Sequence, residues 1–261
     1  MKRTTLSLIT CVSMATGAGT ASAGIITFDP ADGYALGSSL VTGPGWSGNG
    51  SLFSITSLSG GNGAAQSQNV NAPFNENRFT PDAAFLGGST AATGQYEYSF
   101  DLRSDSAPAS EDFSTAFILR IGQDVTGTTG DAIRLNIFDN GRMQLVSGGS
   151  SINIAAASGN NFDLDDAAGR FIPVEGVIDF DTNTYTMDFD GVTQTAAGGS
   201  VNIPFSSTGQ DEFGRFLLAF GNSADDPHRG ITIDNLSAAV PEPGSLALFG
   251  LGGVARLVRR R

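Results

Sequence analysis

Cysteine is all but missing: the one in 261 residues is Cys11. It lies in an apolar N-terminal stretch that reads as a removable leader. Residues 24–240 are therefore expected to hold no thiol and no disulfide, which excludes thiol catalysis and cysteine-ligated metals there. Histidine is as scarce. His228 stands alone, so a zinc site built on several imidazoles is excluded. No Gly-x-Ser-x-Gly elbow exists to present a nucleophilic serine, and a loop histidine after Pro227 reads as solvated. The carboxylate pattern Glu-x-Asp-x-x-Glu is absent. So is the Asp-x-Asp-x-Asp-Gly loop of an EF-hand. No long window shows helical periodicity.

Bases are few. The formal net charge is −12, and between residues 24 and 240 the count is 25 acids against 8 bases, a balance of −17. Phosphate binding needs clustered Lys and Arg, so no nucleic-acid partner is expected. Self-repulsion of such a surface favours solubility. Divalent cations and neutral glycans remain compatible with it.

Both ends carry addressing patterns. Lys2 and Arg3 precede an apolar, small-residue stretch over residues 6–18, and Ala21-Ser22-Ala23 is a small-x-small site. That order is a secretory signal peptide over residues 1–23, with cleavage between Ala23 and Gly24. At the other end, Pro241-Glu242-Pro243 opens residues 241–261. A mostly apolar run over 245–258 follows, and Arg259-Arg260-Arg261 closes it. The run is about 14 residues, short of the ~20 of a full crossing, and contains Arg256. Arg256 can snorkel to headgroups, and the arginines would sit on the cytoplasmic side. The layout resembles the PEP-CTERM sorting tail of bacterial envelope proteins. The resemblance implies export to the cell envelope or extracellular surface, and processing by an exosortase-type enzyme near Pro-Glu-Pro. Membrane contact would be through the tail alone, as a short C-terminal hydrophobic helix.

Between the ends, glycine is abundant (35 residues) and short β-type runs alternate with turn clusters, which reads as one all-β sandwich or barrel. Residues 96–102 alternate, with Tyr96, Tyr98, Phe100 and Leu102 on one side. Residues 113–121 are more continuously apolar, like a strand covered on both faces. Residues 132–138 and 142–146 flank Asp139-Asn140-Gly141, the strongest hairpin signal present. A second hairpin pairs 174–180 with 185–189 around a turn at 181–184. Strands over 215–220 and 231–236 follow, while 59–94 reads as long loops with short strands. Three segments resemble concanavalin A-like, laminin-G-like domains: Ile26-Thr27-Phe28-Asp29, residues 177–185, and Ile233-Asp234-Asn235-Leu236. The resemblance implies a two-sheet jelly roll over residues 24–240, its first and last strands side by side.

Several residues are candidates for chemistry. Glu97 and Asp101 share a face but sit about 13 Å apart, too far for a retaining glycosidase pair. With Phe180 opposite Tyr185, the second hairpin would place Glu175 against Asp190 and Asp179 diagonal to Asp188. That reads as a solvated acidic face or a calcium-sensitive patch. In the carbohydrate-binding jelly rolls that this chain resembles, acids near the first and last strands often hold a structural calcium ion. Asp29 and Asp234 occupy such positions. Trp46, among glycines, either plugs a core edge or offers its face to a sugar ring; Tyr34 and Tyr96 are equally open. The resulting expectation is a non-catalytic structural or adhesive surface protein, with exopolysaccharide or other surface proteins as partners. A lectin-like, calcium-dependent glycan binder is the alternative, and a glycoside hydrolase a third.

Overall fold

The computed structural model describes residues 24–239 except 59–61, 69–75, 83–84, 87–93, 107–114, 124–129, 168, 211–212 and 221–228. The signal-peptide residues through Ala23, His228, and the tail residues Pro241, Glu242, Pro243 and Arg256 to Arg261 lie outside the described residues.

In chain order the strands are β1 (Gly24–Ile26), β2 (Trp46–Gly48), β3 (Phe53–Ser57), β4 (Gly63–Ser67), β5 (Glu76–Phe79), β6 (Gln95–Ser106), β7 (Thr115–Gly122), β8 (Ile133–Phe138), β9 (Met143–Ser147), β10 (Ser150–Asn153), β11 (Ile172–Asp179), β12 (Thr184–Tyr185), β13 (Asp188–Phe189), β14 (Val192–Thr193), β15 (Ile203–Pro204), β16 (Arg215–Phe220) and β17 (Gly230–Ala239). They form two antiparallel sheets. The first runs β14-β13-β11-β6-β17-β4-β3, with β1 added to β17 and β12 and β15 beside β11. The second runs β10-β9-β8-β7-β16-β5-β2. Among the described residues helical content is limited to short 3-10 turns such as Leu164–Ala167. No helix among the described residues is long and apolar enough to cross a membrane.

Period-2 alternation places the core. Tyr96, Tyr98, Phe100 and Leu102 of β6 turn inward, all at most 2% exposed. They face Phe117, Leu119 and Ile121 of β7 and Phe216 and Leu218 of β16, all fully buried. Phe53 meets Phe117 edge to face at 5.9 Å, joining the two sheets. Burying each such side chain stabilises the fold by about 1.5–3 kcal/mol. The expected jelly roll is therefore observed, and its first and last strands do adjoin: Gly24 pairs with Ala238 and Ile26 with Leu236.

The hairpin at Asp139-Asn140-Gly141 forms as read, with Gly141 at φ +79° and Ile137 opposite Met143. The second hairpin differs from expectation. Ile178, not Phe180, lies opposite Tyr185. The turn is tightened because Asn183 adopts φ +54° and Asp179 Oδ1 accepts the backbone N–H groups of Asp181 and Thr182. A side-chain-closed turn of this kind ends the strand at Asp179. The register moves by two residues, so side chains keep their faces but change partners: Glu175 lies opposite Asp188. Asp190 instead receives a bidentate pair of bonds from Arg170 at 2.7 and 2.8 Å.

Candidate functional site

The outer face of the first sheet is built in rungs. One rung crosses Asp188 of β13, Glu175 of β11, Ser99 of β6, Ser237 of β17 and Ile25 of β1. The next contains Val177, Glu97 and Ala239, and a third Thr184, Asp179 and Gln95. All point away from the core because their strand neighbours point in. The face is concave. Two hollows of about 390 Å³ each meet at Val177 and Thr186. Glu97, Glu175 and Asp188 line the first; Gln95, Asp179, Thr182, Thr184, Tyr185 and Asn202 line the second.

Gly176 lies beside the junction on the inward side of β11, with Val174 and Ile178. A Cβ there would collide with the Thr186 carbonyl and lie 2.8 Å from the Tyr98 hydroxyl. Glycine inside a strand marks such a close approach. The gap admits the Tyr98 hydroxyl, which donates to Thr186 O at 2.9 Å. Burial, then the neighbouring Tyr185 and Asp188, hold the Tyr98 phenol well above its ordinary pKa. Burial also raises Tyr185, whose hydroxyl has no hydrogen-bond partner among the described residues. Asp188 Oδ1 is likewise buried and unpartnered. For Asp179, burial raises the pKa, but bonds from Gln95, Thr182 and Asp181 outweigh it and hold the carboxyl below its usual value.

Asp29 and Asp234 are brought together by the β1–β17 pairing and act on one another electrostatically. Asp234 is also the register partner of Asp101. Burial, then repulsion from Asp101 and Asp29, raises Asp234 to a pKa of about 6. Three of the four carboxylate oxygens of Asp29 and Asp234 already accept protein hydrogen bonds: from Gly63 N–H at 2.6 Å, from the Thr27 hydroxyl at 3.0 Å and from Asn235 N–H at 2.8 Å. Among the described residues no group of three or more His, Cys, Asp or Glu side chains is arranged to hold a metal ion. Asp29 ties the segment after β1 to the start of β4 through the Gly63 N–H.

Trp46 takes the core-edge place of its two readings. It is 6% exposed, its ring lies 5.4 Å from that of Phe79 and 6.2 Å from that of Phe28, and its indole N–H donates to the Tyr34 hydroxyl at 3.2 Å. Packed so, Trp46 has no open face for a sugar ring, contrary to the glycan-stacking expectation. Tyr34 and Tyr96 are buried too, at 2% and 1% exposure.

Two ionic clusters were invisible in the sequence. Arg229, fully buried, donates to the Asp139 carbonyl, the Ser104 hydroxyl and both oxygens of Asp165. It joins β17 to the β8–β9 turn of the opposite sheet. On the outer face of the second sheet, Arg120 pairs with Asp131 at 2.5 Å, both nearly inaccessible. Burial raises the Asp131 carboxyl, and Arg120 opposes that rise.

Fold and tail together define an exported, envelope-associated β-sandwich protein. Residues 239–261 match the PEP-CTERM protein-sorting motif, which implies processing by exosortase-type machinery. The match starts at Ala239, the last residue of β17. A search of the curated proteins found no match. Among solved structures the chain is similar to a sialidase, with 14% identity over 73% of this chain and 17% of that one, TM-score 0.46. It is also similar to the Emp47p carbohydrate recognition domain (9% identity, 77% and 92% covered, TM-score 0.44). The cellulose induced protein Cip1 is a third (13%, 76% and 88%, 0.42). The chain thus spans 17% of the sialidase's length.

Proposed function

We propose that this is a non-catalytic adhesive protein of the cell surface that holds a polysaccharide in the groove across the outer face of the first sheet. The observation that carries this reading is the groove itself: two adjoining hollows lined by carboxylates, hydroxyls and amides. Such side chains recognise hydroxyl-rich chains through hydrogen bonds. With Trp46, Tyr34 and Tyr96 buried, binding rests on polar contacts more than on ring stacking. The groove is bordered by Ser237 and Ala239, at the point where the sorting motif leaves the sandwich. The test is a panel of bacterial and algal polysaccharides presented to the purified protein. Saturable binding to one class, lost when groove residues are changed, supports the reading; no binding to any glycan defeats it.

A hydrolase on the same face is the second reading, favoured by one observation: Glu175 and Asp188 are direct cross-strand partners in the first hollow. Paired carboxylates are what glycoside hydrolysis uses. Release of reducing ends from a bound polysaccharide, abolished by Glu175→Gln, would replace the adhesive reading with this one.

A further inference from the structure

The groove has a sign as well as a shape. Glu97, Glu175 and Asp188 line the first hollow, and Asp179 lines the second. Among the described residues no arginine or lysine lines either hollow. Glu175 and Asp188 are set directly opposite each other, an arrangement that repels unless something positive lies between them. A second feature points to a ligand. Asp188 Oδ1, in the first hollow, is buried and has no hydrogen-bond partner among the described residues. Leaving a buried polar atom unpaired is costly. A carboxylate oxygen only accepts, so the missing group is a donor.

We infer that the groove takes a positively charged amino sugar: a polysaccharide bearing free ammonium groups, with an ammonium seated between Glu175 and Asp188 and its ring hydroxyls meeting Thr184, Thr186 and Gln95. This rests on the glycan-binding reading and adds the chemical class. A neutral glucan would leave the carboxylates of Glu175 and Asp188 facing one another without a counter-charge. An anionic polysaccharide would be repelled by the groove and by the balance of −17 over residues 24–240.

The experiment measures binding of purified protein, in chelator, to three probes. They are glucosamine oligomers, the same oligomers fully N-acetylated, and oligolysine of matched charge. The expected result is saturable binding of the glucosamine oligomer, weakened about tenfold or more by N-acetylation and to a similar extent by Glu175→Gln or Asp188→Asn. Asp166→Asn, an exposed acid outside the groove, removes the same charge and should leave binding unchanged. Equal binding of the acetylated oligomer would overturn the amino-sugar class while keeping a glycan site. Equal binding of oligolysine, with the same sensitivity to Glu175→Gln, would make the ligand a basic peptide. Loss of binding in Asp166→Asn as great as in Glu175→Gln would reduce the effect to bulk charge. Binding of no probe, and of no glycan in the wider panel, would remove the parent reading as well.

Discussion

The two outer faces of the sandwich are opposites. On the first sheet four outward carboxylates, Glu97, Glu175, Asp179 and Asp188, line an open groove among hydroxyl, amide and apolar side chains, and Glu97 and Glu175 are exposed to water. On the second sheet the central outward side chains are shut away: Ile118, Leu217 and Ala219 are at most 5% exposed, Arg120 2% and Asn136 8%. Leu217 is flanked in register by Arg78 and Arg120, and Arg120 by Arg134. The acidity of the chain is therefore unevenly spread over the sandwich. One face is closed over at its centre, where Arg120 pairs with Asp131; the other keeps Glu175 and Asp188 side by side at an open groove. Retaining repulsion where relief would be easy is what a binding surface does.

The comparison can be broken most severely on the closed face. Arg120→Met leaves Asp131 buried without its cation and should cost about 3–5 kcal/mol in urea denaturation. Arg120→Met with Asp131→Leu should recover most of the loss. If the single variant unfolds like the parent, the second sheet's outer face is not closed over as described above.

The rim of the open face carries a pH-dependent contribution. Asp234 binds its proton more tightly folded, at about 6 against 3.8 unfolded. The folded state therefore binds more protons between these values, and stability falls as pH rises through them. The whole shift corresponds to at most about 3 kcal/mol. Asp234→Asn should flatten the pH profile of the melting temperature between 4 and 7 and raise stability at neutrality. An unchanged profile would mean that Asp29 and Asp101 do not press on this carboxyl.

Trp46→Phe loses one hydrogen bond and some volume, and should cost about 1–2 kcal/mol. Polysaccharide binding should be untouched; a binding loss without a stability loss would return Trp46 to the ligand.

The smallest effect is the most telling for function. Glu175→Gln removes the repulsion from Asp188 and should stabilise the protein by about 0.5 kcal/mol, measured by the same denaturation, while binding falls. A destabilised Glu175→Gln would show the carboxylate to be structural.

The fold was largely legible because its signals are local. Alternation in β6 and the Asn-Gly turn each follow from a few neighbouring residues, and both strands and hairpin appear where expected. The site was legible only in part. That acids of β11 and β13 share a face follows from period 2. Which acid opposes which depends on the turn, and the Asp179 side chain with Asn183 at positive φ closed it two residues away from the simple reading. Trp46 among glycines stayed open between core edge and sugar platform, because the aromatic ring set that encloses it is gathered from positions 28, 34 and 79. Arg229 and Arg120 carry no periodic signature; their partners lie 64 to 125 residues away for Arg229 and on a neighbouring loop for Arg120.

The last strand also has a mechanical meaning. β17 is interior to its sheet, bonded to β6 from Gly230 to Ala239 and clasped at its end by β1. The sorting motif continues directly from its final residue. A load entering at Ala239 would meet a strand bonded along both edges, by β6 on one side and by β4 and β1 on the other, beside the acidic groove.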